Sequence, residues 1–292
     1  MMEFKGVYTA LVTPFNQNGA VDYGKLRELV EMQVAGKVAG IVPVGTTGES
    51  PTLTYEEHHK VIETVIEVAN KRCTIIAGTG SNSTAEAIEL TRHAKATGAD
   101  ASLQVTPYYN KPTAEGLYRH FSTIAEAVDL PVVLYNVPGR AGVPIPVDIV
   151  ARLAAHKNIQ AIKEAAGSAE RVSAILDKCN IDVLSGDDAL TLPMLSVGAK
   201  GIISVSSNII PAEMSKMVEL FMAGDVQGAM AMHKKYYPLF RDQFIETNPI
   251  PIKAAMAMIG ICEEVYRLPL CVMNSGNRAK LEQTLRECEI IK

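Results

Sequence analysis

Eight short apolar runs recur through the first two-thirds of the chain: YTALVTP (8–14), GIVPVGTTG (40–48), TIIAGTG (74–80), ASLQVTP (101–107), PVVLYNVP (131–138), IQAIKEAAG (159–167), IDVLSGDD (181–188) and GIISVSS (201–207). Most are apolar on consecutive rather than alternate residues, the pattern of parallel strands covered on both faces. Between them lie segments of helical period. Residues 22–39 set Leu26, Leu29, Val30 and Val34 on one side. In 54–69, Thr54 stands three residues before Glu57, a capping-box pattern. Segments 84–97, 114–128 and 168–178 continue the alternation. Eight strand-then-helix units in about 210 residues predict an α/β fold, an eight-stranded parallel (β/α) TIM barrel over residues 1–210. A doubly wound open sheet is the alternative. After Ser207 no strand pattern follows. Residues 211–292 read as a C-terminal helical extension, the eighth barrel helix plus an appendage. Its segments are PAEMSKMVELFMAG, DVQGAMAMHKKYYPLF, IPIKAAMAMIG and NRAKLEQTLRECEI, whose Met and Ala content suits core filling or packing against another subunit.

Composition narrows the partners. With 48% hydrophobic and 21% charged residues in 292, the chain can bury a large core. A net charge of −4 gives no footprint for nucleic acid or an anionic membrane surface, while one arginine or helix N-terminus still suffices for a small anionic substrate. The five cysteines, Cys73, Cys179, Cys262, Cys271 and Cys288, are widely spaced with no CxxC pair. They read as reduced thiols of a cytoplasmic protein. The start, MMEFKGVYTALVTPF, lacks a basic stretch followed by an apolar segment, so no signal peptide is expected. No apolar run approaches the roughly 18–20 residues of a membrane span.

In such a barrel the chemistry sits at the C-terminal strand ends. One lysine lies there, Lys163 in AIKEAAG, and period-two alternation puts it on a face with Ile159, Ala161 and Ala165. An ammonium on such a face is paired with a carboxylate, snorkels to water, or is used as a neutral nucleophile toward a carbonyl. Tyr135 closes the preceding run, as a core tyrosine or as a proton shuttle to an imine on that lysine. GTTGES (45–50) reads as a glycine-rich turn, or as a carboxylate cradle of backbone N–H groups with the Thr46 and Thr47 hydroxyls. Tyr108 and Tyr109 in VTPYYNKP are adjacent loop aromatics, suited to contact with a ligand or another subunit. Arg140 in YNVPGR carries a planar fork for a carboxylate, unless it serves a surface salt bridge. No metal motif occurs among the six histidines, and the adjacent His58 and His59 point to different helix faces. GTGSNS (78–83) lacks the third glycine of a dinucleotide fingerprint, and SGDD (185–188) is a weak metal signal. No metal, nucleotide or nicotinamide cofactor is expected.

GTTGES, PYYNKP, YNVPGR, IKEA, LSGDD and GIISV occur in this order from the second run to the eighth. Together they resemble the dihydrodipicolinate synthase family, within the pyruvate-dependent class I aldolases that also include N-acetylneuraminate lyase and keto-deoxy sugar acid aldolases. The resemblance covers nearly the whole chain; YNVPGR and the double tyrosine are its more particular parts. It implies a Schiff base between Lys163 and pyruvate, with no other cofactor. It further implies a proton relay of Tyr135, Thr46 and Tyr109, the last reaching across from a neighbouring subunit. Thr47 and the Ile203 backbone would hold pyruvate, Gly186 would line the pocket, and Arg140 would receive the carboxylate of L-aspartate 4-semialdehyde. The implied product is 4-hydroxy-tetrahydrodipicolinate, on the route to lysine and diaminopimelate, and the implied assembly a homotetramer built as a dimer of dimers. Arg140 fits a short carboxylate-bearing product better than the long polyol of a sugar acid lyase. A non-catalytic barrel that only binds a keto acid would need no proton relay. Ala141 stands where a threonine is common in the family. A regulatory lysine site would use Ser50, His58, Asn82, Glu86 and Tyr108, with Pro51 and Tyr55 in place of a small residue and a histidine.

Overall fold

The structure is a computed structural model that describes residues 2–292. The eight runs form strands β1 (Gly6–Ala10), β2 (Gly40–Val42), β3 (Thr74–Gly78), β4 (Ala101–Val105), β5 (Val132–Asn136), β6 (Ile159–Glu164), β7 (Asp182–Ser185) and β8 (Gly201–Ser204). Neighbours pair in parallel and β8 pairs with β1, so the sheet closes into a barrel and the open-sheet alternative falls. The helices that follow the strands are α1 (Tyr23–Ala35), α2 (Tyr55–Ala69), α3 (Thr84–Thr97) and α4 (Ala114–Ala127), then a single turn α5 (Pro138–Ala141) and α6 (Val147–Ala154). Next come α7 (Ala169–Lys178), α8 (Thr191–Ser196) and α9 (Pro211–Met222), and the chain ends in α10 (Val226–Asp242), α11 (Ile250–Met258) and α12 (Ser275–Glu287).

The strands are shorter than the runs that announce them. β2 keeps only three residues because Val44 turns to φ 50°, which takes the chain out of the sheet. The alternation names no helix between β5 and β6 or between β7 and β8. Both are present, but α6 has eight residues and α8 six, too few turns for a 3.6-residue period to stand out. The capping box at α2 forms as expected: Glu57 N donates to Thr54 Oγ1 at 3.2 Å, and Thr54 N donates to the Glu57 carboxylate at 3.0 Å.

Inside the barrel one apolar cluster gathers Tyr8, Val42, Ile76, Leu103, Val133, Tyr135, Ala161, Leu184 and Ile203, at least one residue from each strand. Residues of the opposite parity, such as Leu134 and Ile162, pack outward against the helices. Strict alternation misplaces Ile159. It belongs to the outer cluster, because the register with β5 skips Gln160: Val132 pairs with Ile159 and Val133 with Ala161. The bulge shifts parity by one residue, so Lys163 shares its side with Ala161 but not with Ile159.

The C-terminal helices fold back on the barrel. α10 packs against α9 and α12, and α11 packs against α12. Ile252, Ala254, Met256, Leu281 and Leu285 join one apolar cluster with Val7, Leu11 and Leu26. A fully buried ion pair fixes this junction. Lys253 Nζ lies 2.6 Å from Glu49 Oε1, donates to the Thr13 carbonyl at 3.2 Å and sits 4.2 Å above the Phe15 ring.

Candidate active site

Lys163 stands near the C-terminal end of β6, paired in register with Tyr135 of β5 and Leu184 of β7. Its side chain is 6% exposed, and Nζ lies 4.3 Å from the Tyr135 ring centroid. Among the described residues no carboxylate forms an ion pair with it. The nearest acid in sequence, Glu164, faces the other side of the sheet and is fully engaged. It accepts from Asn136 Nδ2 at 2.8 and 3.0 Å, from Ala166 N at 2.8 Å and from Arg171 Nε at 2.9 Å. The paired-lysine reading therefore fails. What remains is a nearly buried amine beside a phenol, equipped to condense with a carbonyl compound.

Gly186 is required by this packing. A Cβ there would lie 2.6 Å from Ala165 Cβ and 3.2 Å from Lys163 Cε, so any side chain would crowd the lysine stem. Ile203 lies fully buried at the adjacent β8 end. That end is held by the buried Asp188, which accepts from Ser204 Oγ at 2.5 Å, Val205 N at 3.0 Å and Gln243 Nε2 at 3.0 Å. Burial raises the Asp188 carboxyl above its usual range. The SGDD run is thus structural at its second aspartate.

The GTTGES loop turns on two left-handed residues, Val44 at φ 50° and Glu49 at φ 54°. Such backbone is costly for side-chain-bearing residues and needs support. Glu49 receives it from Lys253, and Thr13 Oγ1 donates to the Gly48 carbonyl at 2.7 Å. Thr46 lines a cavity of about 520 Å³ together with Tyr135, Val137, Arg140, Ala141 and Asn248. Thr47 is buried and accepts from Asn248 Nδ2 at 2.9 Å. Arg140, on the α5 turn, donates Nη2 to the Asn248 carbonyl at 2.9 Å and forms no salt bridge among the described residues.

Thr46, Tyr135 and Arg140 thus share one cavity. Lys163, Thr47, Gly186 and Ile203 do not line it: Lys163 lies against Tyr135, Gly186 against the Lys163 stem, Thr47 bonds Asn248, and Ile203 joins Tyr135 in the barrel interior. Tyr109 does not line it within one chain either. It is 91% exposed, at φ 69°. Ser50, His58, Glu86 and Tyr108 line the same cavity, and Asn82 Nδ2 donates to the Tyr108 carbonyl at 3.2 Å. His58 Nε2 lies 2.9 Å from the Gly78 carbonyl, which can only accept, so that nitrogen carries the proton. Burial pushes the His58 imidazole down to about 4. Glu86 is already occupied: Tyr55 Oη donates to one carboxylate oxygen at 2.5 Å and Ser81 Oγ to the other at 2.6 Å. That bond pushes the Tyr55 phenol up to about 12.

The sequence matches the profile of the dihydrodipicolinate synthetase family over residues 3–288. The chain belongs to this family. A relative from Geobacter sulfurreducens named 4-hydroxy-tetrahydrodipicolinate synthase is 56% identical over 290 residues, 99% of this chain and 100% of its own. The solved dihydrodipicolinate synthase of Acinetobacter baumannii, complexed with pyruvate, superposes with a TM-score of 0.96 at 48% identity, covering 98% of this chain and 99% of that one. The enzyme of Cyanidioschyzon merolae with lysine bound gives a TM-score of 0.96 at 41% identity, covering 99% of each chain.

Within this synthetase family member, sequence reasoning missed three groups at the site: Asn248, the Lys253–Glu49 pair, and the Asn136–Glu164–Arg171 network. Asn248 had a visible signal, since it precedes a proline in TNPIP, where polar side chains at a turn often bond to nearby groups. The pair had none.

Proposed function

We propose that the chain condenses pyruvate with L-aspartate 4-semialdehyde through a Schiff base on Lys163, yielding 4-hydroxy-tetrahydrodipicolinate for lysine and diaminopimelate biosynthesis. The carrying observation is a nearly buried lysine without a counter-ion, at the end of a barrel strand and against a tyrosine. Lys163 Nζ attacks the C2 carbonyl of pyruvate, water leaves, and the iminium withdraws electrons so that a methyl proton is lost to give an enamine. The enamine carbon attacks the aldehyde, whose oxygen takes up a proton. The amine of the adduct then adds to C2, and expulsion of Lys163 closes the ring. Tyr135, Thr46 and Tyr109 relay the protons, with Tyr109 supplied by a neighbouring copy; its exposed, left-handed position supports that geometry. Thr47 and the Ile203 backbone hold the pyruvate carboxylate against Gly186, and Arg140 takes the carboxylate of the semialdehyde. The assembly is a homotetramer, a dimer of dimers, working in the cytoplasm with its five cysteines as free thiols. No group beyond the Schiff base is required. The test is reduction with borohydride in the presence of pyruvate, followed by peptide mapping. A reduced pyruvyl adduct on Lys163 is expected, and a folded protein that acquires none would overturn the reading.

Ser50, His58, Asn82, Glu86 and Tyr108 form the regulatory lysine site in this proposal, with Glu86 as the partner of the ligand's ammonium. Tyr55 competes for that carboxylate. Tyr55→Phe should therefore lower the lysine concentration for half-inhibition by about tenfold, the worth of one hydrogen bond to a charged group. Inhibition curves for the two proteins check it, and an unchanged midpoint counts against the site.

A further inference from the structure

We infer that Asn248 is a positioning residue that sets the direction of the Thr47 hydroxyl proton and so the strength of pyruvate binding. The inference rests on the Schiff-base reading above. Asn248 lies between α10 and α11, 5% exposed, and reaches two loops at once. Its Nδ2 donates to Thr47 Oγ1 at 2.9 Å, from the β2 side, and its carbonyl accepts from Arg140 Nη2 at 2.9 Å, from the β5 side. Its own Oδ1 is buried with no hydrogen-bond partner among the described residues. A hydroxyl has one proton and two acceptor sites. With Asn248 donating, Thr47 spends an acceptor site on the protein and keeps its proton for a carboxylate in the site. The same residue holds one N–H of the Arg140 guanidinium and leaves the rest of the fork for the second substrate. A single residue of the C-terminal extension thereby orients both carboxylate-binding groups, Thr47 through its side-chain amide and Arg140 through its backbone carbonyl.

Two variants read the polarity. Asn248→Ala removes the donor but keeps the backbone carbonyl that Arg140 uses. It should raise the KM for pyruvate by about tenfold while changing that for the semialdehyde less than about threefold. Asn248→Asp replaces the donor with an acceptor, which captures the Thr47 proton and turns a negative charge toward the substrate. It should weaken pyruvate binding more than the alanine does. In a Thr47→Val background that excess of Asp over Ala should shrink, the signature of coupling through Thr47 rather than general damage. Asn248→Asp binding pyruvate as well as the unaltered protein would overturn the assignment, as would an Asp-over-Ala excess undiminished by Thr47→Val. Borohydride trapping separates the two readings. If the unaltered protein traps no pyruvate, the Schiff-base reading falls. If it does, and Asn248→Asp traps at the same pyruvate concentration, only the role of Asn248 falls.

Discussion

Lys163→Ala is expected to reduce turnover by about 10⁴-fold or more, the scale seen when a covalent nucleophile is removed, while the barrel stays folded. The structure explains why the two effects should part. The Lys163 amine has no ion-pair partner among the described residues, so truncation strands no buried counter-charge. The strand is held from its other face, where Glu164 binds Asn136, Ala166 and Arg171. Thermal unfolding should move by only a few degrees, and borohydride with pyruvate should leave the Lys163→Ala protein unlabelled. Lys163→Arg should be as inactive, because a guanidinium keeps the charge but forms no imine. Near-normal turnover by either folded variant would remove the covalent mechanism.

Lys253→Ala should do the opposite, with a large loss of stability. Lys253 and Glu49 are both fully buried, and each is the other's counter-charge. Removing the lysine leaves Glu49 in the interior with the Arg267 backbone N–H, at 3.3 Å, as its one remaining donor among the described residues. Breaking such a pair costs about 3–5 kcal/mol. The double variant Lys253→Met with Glu49→Gln should recover most of that, since it buries no charge. Denaturant midpoints at a fixed slope measure both. A loss below about 1 kcal/mol for the single variant would mean that water reaches the site and the pair is ornamental.

The barrel was legible because parallel strands buried on both faces write themselves as continuous apolar runs, and the turns between them are rich in glycine and proline. The short helices α6 and α8 were not, for lack of turns. Lys163 announced itself as a charge inside such a run. Its face was right but one of its companions, Ile159, was not, because nothing in the residues 159–162 betrays the skipped register at Gln160. Asn248 with Thr47, and Lys253 with Glu49, join positions 201 and 204 apart. Lys253 in IPIKAAMAM reads as the wet side of a helix until the fold supplies an acid for it. Only a three-dimensional partner distinguishes that lysine from an ordinary surface one, whereas Lys163 is conspicuous by having none.

Those long pairings also set an order of events during synthesis. The GTTGES loop leaves the ribosome early, yet the residues that brace it, Asn248, Lys253 and Arg267, emerge in the last fifth of translation. A chain that has not yet reached these residues leaves the loop unbraced and Glu49 without the Lys253 counter-charge. The mouth of the barrel is therefore complete only once the final helices have docked.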